Sequence, residues 1–149
     1  MTTIAATLAA IAGDRMVFDE GKGTWYPSVK VRRIKGALVG AAGDAGDCMR
    51  LMDWAEAGFP EKKRPKFEEP AGTEDSAILL LVNAEGIHMM AVSDPYPEPV
   101  AAGTYAIGSG GKAALAAMHC GKTIAEAMDV AAEIDPYTRA PFDILTLKE

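Results

Sequence analysis

The chain opens "MTTIAATLAA", and Thr2 is the residue there with the most chemistry available to it. A threonine hydroxyl is a poor nucleophile at neutral pH and needs a base within hydrogen-bond reach. Thr2 lies directly behind the initiator methionine, so it becomes the first residue once Met1 is removed. Threonine is small enough for that removal to be expected. The freed α-amine, with a reference pKa of about 7.7–8.0, sits close to the optimum for a general base at neutral pH. One residue would then carry nucleophile and base together. The plainer account of Thr2 is local propensity, since threonine is an ordinary strand residue.

Other chemistry-bearing patterns are weaker. "GKT" at 121–123 and "GSGGK" at 108–112 suggest a phosphate loop. That loop needs a glycine five residues before its Gly-Lys, and Ser or Thr after the lysine. The earlier position is Ala116 for the first and Ala106 for the second, and Ala113 follows Lys112, so both fail. Gly121 reads as a helix stop and Thr123 as a helix cap. The glycines at 108–111 read either as a tight strand-to-helix turn or as backbone that lets something approach closely. Cys48, Cys120, His88 and His119 match no zinc-ligand spacing. Two free, buried thiols in a reducing compartment fit better.

The 149 residues suit one domain, 1–149, with a real core. The net charge is −6 and the only basic cluster, "EKKRPK", sits among prolines, which disfavours nucleic acid as a partner. No apolar run approaches the roughly 20 residues that span a bilayer. No signal-peptide pattern is visible, so no membrane partner and a cytoplasmic location are expected.

Elements able to position Thr2 can be read along the chain. Residues 2–10 and 15–18 read as strands around a turn at 12–14, and "GKGTWYP" as a loop. "KVRRI" and "ALVGAAG" are strands joined at Lys35 and Gly36. "DAGDCMRLMDWAEAGFP" is a helix with Cys48, Leu51, Met52 and Ala55 on one face, capped by Asp44 or Asp47 and stopped at Gly58. Met49, Leu51, Met52 and Trp54 exceed what one inward face needs, which suggests a subunit contact. Residues 60–75 are a polar connection, and "AILLLVNAEGIHMMAV" is a hairpin whose first strand is covered on both faces. "DPYPEPVAAG" reads as a rigid loop. Two helices follow, the second opened by the capping box "TIAE", with Ile124, Met128, Ala131 and Ile134 on its apolar face. "FDILTL" is a last strand. Segregated strands and helices argue for an α+β fold of antiparallel sheets covered by helices.

"MTTIA", "AGD", "KVRRI", "GAAGDAGDC", "AIGSGG" and "IDPYT" occur in an order that resembles the proteasome β-subunit and HslV peptidase family of N-terminal nucleophile (Ntn) hydrolases. The chain looks like a short member, of the kind carried by phages and prophages, and the likeness runs over essentially its whole length. It implies a four-layer α-β-β-α sandwich and a threonine endopeptidase acting in a homo-oligomeric ring on peptides or unfolded protein. An ATPase unfoldase is a partner the resemblance admits. The implied roles are Thr2 as nucleophile, Asp14 as the acidic residue after the first hairpin, Lys30 as the active-site lysine and Gly43 as the oxyanion amide. Asp135 and Thr138 would support the site. Backbone carbonyls of Ala132, Asp135 and Thr138 would hold a structural Na+ or similar cation, with no other cofactor required. Four features depart from the family: the first hairpin is shorter than in HslV, the second glycine of its Gly-Gly is Asp44, its second long helix is replaced by "PEKKRPKFEEPAGTED", and the serine after "GSG" is Gly111, leaving Ser109 as the nearest hydroxyl.

The chemistry is coherent on its own terms. An ammonium at Lys30 lowers the cost of an alkoxide and keeps the α-amine deprotonated, and Asp14 is its partner inside a strand. Gly43 lacks a side chain, so its amide can face an oxyanion. The competing account from another class is a catalytically silent ring protein of the same fold, with a structural or assembly role and Met1 retained.

Overall fold

A computed structural model describes residues 2–67 and 75–148. Met1 and part of the polar connection at 60–75 therefore lie outside the described residues. Eleven strands and three helices are present among them, and every strand pairing is antiparallel.

The first sheet has the order β10-β1-β2-β11, from Thr104–Gly108, Thr3–Thr7, Ala10–Asp14 and Phe142–Thr146. The second has the order β5-β6-β7-β8-β9, from Val31–Ile34, Ala37–Gly43, Ala77–Asn83, Gly86–Ala91 and Glu98–Pro99. A separate hairpin joins β3 (Met16–Asp19) to β4 (Thr24–Pro27). Alternation along each strand divides the apolar residues between two faces. Ile4, Ile11, Leu38, Leu80, Val82 and Ile87 fill the space between the sheets. Val39, Leu79 and Leu81 pack outward against α1 (Ala45–Glu56), and Ala5 and Ala12 against α2 (Gly111–His119) and α3 (Ile124–Ile134). Three cores thus stack four layers, α-β-β-α, as the resemblance implies.

Several expectations are met in detail. Cys48, Leu51, Met52 and Ala55 form the buried face of α1, which Asp44 caps by accepting the Asp47 N–H. The Thr123–Glu126 capping box is formed. β7 lies between β6 and β8 and is covered on both faces, Leu79 and Leu81 by α1 and Leu80 and Val82 by the core between the sheets.

Other expectations are corrected. The first turn lies at Leu8 and Ala9, and residues 12–14 belong to β2. Gly13 suggested a turn, but it serves close packing: a Cβ there would meet Ile4 and Val31 at 3.0 Å. Half of the expected loop at "GKGTWYP" is β4, held to β3 by the Phe18–Trp25 ring pair at 5.3 Å. The expected loop after Asp94 contains β9. Ile134, the last residue of α3, is exposed although it lies on the same side of the helix as the buried Ala127 and Ala131. Cys120 is exposed while Cys48 is buried. Leu51, Met52 and Trp54 are all buried within the chain, which leaves Met49 as the exposed residue of that group and removes α1's surplus as an argument for a subunit contact.

Candidate active site

The register Ile4↔Gly13 sets Asp14, the last residue of β2, opposite Thr3. Asp14 is fully buried and its Oδ1 accepts the Thr3 N–H at 2.9 Å. Lys30, just before β5, places Nζ 2.9 Å from Asp14 Oδ2 and donates to the Met16 carbonyl at 2.8 Å. Burial pushes the Asp14 carboxyl above its ordinary range, even against the Lys30 charge and the backbone N–H groups of Thr3 and Arg139. Burial likewise pushes the Lys30 ammonium down, although Asp14 opposes it. Both directions say that desolvation outweighs the mutual attraction. Such a pair is weak as a stabilising device, and perturbed ionisable groups beside a cavity are a mark of functional sites.

That cavity, about 100 Å³, is lined by Thr2, Lys30 and Gly43 together with Val17, Val29, Ala41, Cys48, Met49 and Met52, so its wall is largely apolar. Desolvation pushes the Cys48 thiol up to about 12, which makes it an inert wall group at neutral pH. A second, more open depression of about 260 Å³ is bordered by Thr2, Gly43, Gly108 and Ser109. Thr2 and Gly43 therefore stand where the two meet.

The direction of the Gly43 amide follows from the sheet. Gly43 pairs with Ala77, and the Asp44 N–H donates to the Ser76 carbonyl at 2.7 Å. That bond makes Gly43–Ala77 a non-hydrogen-bonded pair, so the Gly43 N–H points away from β7, toward the Lys30 side. Glycine is required here twice over. Its φ is +128°, and a Cβ would lie 2.3 Å from the Ser76 carbonyl oxygen. Asp47 holds the same junction, its buried carboxylate accepting from Ser76 Oγ at 2.5 Å and from Arg50 at 2.6 Å.

A second polar group lies on the helix side of β1. Ser109 Oγ donates to Asp135 Oδ2 at 2.6 Å and Thr138 Oγ1 donates to the same oxygen at 2.5 Å. The Tyr137 N–H donates to Oδ1 at 3.2 Å. Burial pushes Asp135 upward, but these three donors outweigh it and hold the carboxyl below its ordinary range. The Ser109 N–H donates to the Thr2 carbonyl at 2.8 Å, and a Cβ on Gly108 would fall onto that carbonyl. The glycine-rich turn thus exists to let this loop touch Thr2.

Of the residues singled out in the sequence, Thr2, Lys30 and Gly43 share one cavity and Asp14 pairs with Lys30. Ser109, Asp135 and Thr138 form one hydrogen-bonded group, so Ser109 does reach Asp135 although it precedes the family's serine position. Ala132 lies half-buried in the last turn of α3. The Asp135 carbonyl accepts the Thr138 N–H at 3.2 Å. Among the described residues no three His, Cys, Asp or Glu side chains gather as a metal site. Thr3, Ser76 and Asp47 escaped the sequence reading of the site. The signal for Thr3 is a hydroxyl on a strand face where its neighbour Ala5 is core; Asp47 was visible as a helix-start residue, and nothing marked Ser76.

The fold, two antiparallel sheets between helical layers, matches that of HslV and proteasome-type Ntn hydrolases. HslV from Trypanosoma brucei superposes with a TM-score of 0.72 at 26% identity, over 97% of this chain and 98% of that one. BPH from Thiobacillus denitrificans gives 0.70 at 20% identity, over 97% and 96% of the two chains. The same BPH in complex with epoxomicin gives 0.69 at 18% identity over 99% of each. No family model matches the sequence, and no curated protein is significantly similar to it in sequence. No helix among the described residues is long and apolar enough to cross a membrane.

Proposed function

We propose that this chain is a threonine-type peptidase whose nucleophile is Thr2, exposed by removal of Met1. The observation that carries the proposal is that Thr2, the buried Lys30 and the outward-facing amide of Gly43 border one cavity. The α-amine of Thr2 takes the hydroxyl proton as Oγ1 attacks the substrate carbonyl carbon. Negative charge collects on the carbonyl oxygen, where the Gly43 N–H donates to it, a contribution of about 3 kcal/mol for one such donor. The α-ammonium then protonates the leaving amine, and the C–N bond breaks. A water, deprotonated by the same amine, attacks the resulting ester and releases the acid. Lys30 holds positive charge beside Oγ1 throughout, with Asp14 fixing its position.

The apolar cavity beside Thr2 suits a small apolar substrate side chain, and the open depression on the other side suits the continuing chain. Unfolded polypeptide is the substrate class that reaches such a cleft. The likeness to HslV supports self-assembly into a ring, with an ATPase unfoldase as partner, in the cytoplasm of a bacterial or phage-infected cell. Kinship with phage- and prophage-borne members belongs to the same proposal and rests on the order of the sequence motifs alone. A monovalent cation on the Ala132, Asp135 and Thr138 carbonyls belongs to the same proposal; it would stiffen the turn that presents Thr138 and Asp135.

Hydrolysis of an unstructured protein such as casein, by wild-type chain and by Thr2→Ala, tests the reading. Cleavage by the first and none by the second is expected. Equal cleavage by both would remove Thr2 as the nucleophile, and no cleavage by a wild-type chain that retains Met1 would favour the silent ring protein.

A further inference from the structure

Thr3 is fully buried, yet it sits on the face of β1 where Ala5 packs against α2 and α3. A valine would fill that space with the same shape. Two polar partners distinguish threonine: the Gly110 N–H, 3.0 Å from Thr3 Oγ1, and Thr138 Oγ1, 2.6 Å away.

The proton positions in this chain are determined by elimination. A backbone N–H only donates, so Thr3 Oγ1 accepts from Gly110. Thr138 gives its single proton to Asp135 Oδ2. Thr3 must therefore donate to Thr138. The order runs from Gly110 N–H through Thr3 and Thr138 to Asp135, with Ser109 Oγ ending on the same carboxylate oxygen. Thr3 also touches the other half of the site through its main chain. The peptide between Thr2 and Thr3 is clamped on both sides, its carbonyl by the Ser109 N–H at 2.8 Å and its N–H by Asp14 at 2.9 Å. A Cβ on Gly110 would lie 2.3 Å from Thr3 Oγ1, so this contact is close enough to fix the loop.

We propose that Thr3 is a positioning residue, whose hydroxyl ties the Ser109–Gly110 loop to Asp135 and thereby fixes the peptide plane that aims Thr2. The proposal rests on the peptidase reading for its kinetic consequence only. Thr3 itself meets no substrate; it decides where the α-amine and hydroxyl of Thr2 point.

Two measurements on processed, assembled protein test it. In Thr3→Val the Gly110 N–H loses its acceptor, and amides 109–111 should exchange with deuterium roughly tenfold faster than in wild type. On a fluorogenic peptide, kcat should fall about 10- to 100-fold while KM stays within about twofold, because misaimed reacting groups cost rate and not binding. Thr3→Ser should recover both. Wild-type exchange in Thr3→Val, or wild-type kcat in a folded Thr3→Val, would overturn the proposal; so would a Thr3→Ser as impaired as the valine variant. Should Thr3→Val fail to fold, Thr3→Ala removes the same hydroxyl with a smaller side chain and takes the same two readouts. If wild-type protein hydrolyses nothing, the peptidase reading fails and the exchange measurement alone judges Thr3.

Discussion

Replacing Lys30 by methionine isolates the buried ion pair. At 2.9 Å and an effective dielectric constant of about 20, the attraction between Lys30 and Asp14 is about 6 kcal/mol. Desolvating each ion costs several kcal/mol, which accounts for burial winning at both groups. The intact pair is thus close to neutral for stability. Methionine at 30 removes the attraction and leaves Asp14 fully buried with only backbone donors. A loss of about 3–5 kcal/mol is expected, or a fall in Tm of about 6–20 °C for a domain of this size. The double variant Asp14→Asn/Lys30→Met carries no charge at this pair and should return to within about 1 kcal/mol of wild type while staying inactive. The pH sign is also set. Without Lys30, the folded-state pKa of Asp14 is raised further above its ordinary value of 3.8. The folded state then binds the proton more tightly than the unfolded chain, so the deficit of Lys30→Met shrinks as pH falls through that raised value toward 3.8. Urea titration of wild type, Lys30→Met, Asp14→Asn and the double variant, repeated at about pH 5 and pH 8, measures all of this. Additive single-variant effects, or a Lys30→Met as stable as wild type, would refute the reasoning.

Lys30→Arg should fail in hydrolysis, since a planar guanidinium does not replace a compact ammonium; wild-type turnover would make Lys30 a bystander. Gly43→Ala puts a Cβ 2.3 Å from a backbone oxygen at a φ of +128°, and strain of about 1–3 kcal/mol with a comparable overpacking cost should lower the urea midpoint and abolish activity. An unchanged midpoint would deny the close approach. Asp135, held below its ordinary value of 3.8 by Ser109, Thr138 and the Tyr137 N–H despite burial, contributes stability that is present above that value and lost as pH falls through the folded-state pKa. Asp135→Asn should therefore flatten the acid limb of the stability profile, and an equally steep limb would place the titration elsewhere. Light scattering at micromolar concentration should give a closed oligomer, and a monomer of 15.7 kDa would remove the enclosed chamber from the proposal.

Much of the fold was legible because its signals are local. The apolar face of α1, its Asp44 cap and the Thr123–Glu126 capping box depend on residues three or four apart, and all three formed. What failed was set by distant neighbours. Gly13 and Asp14 have the composition of a turn, yet Gly13 is small so that Ile4 and Val31 can meet over it, and Asp14 is there to face Lys30. Trp54 and Met52 looked like surplus until residues such as Leu79 and Leu81 supplied the surface that buries them. The site divided the same way. Thr2, Lys30, Gly43, Ser109, Asp135 and Thr138 were singled out through motif order and lie together in the structure, whereas Thr3, Ser76 and Asp47 engage through hydrogen bonds to residues far along the chain or to backbone, which no local pattern encodes.

The central claim is that Thr2 is an activated N-terminal nucleophile, and intact-mass spectrometry after incubation with epoxomicin tests it most directly. Wild-type protein should show a mass lacking Met1 and a single epoxomicin adduct that maps to Thr2. Thr2→Ala should show no adduct, and Lys30→Met a much slower one. A wild-type chain that retains Met1, or a Met1-free chain that stays unmodified while remaining folded, would contradict the account.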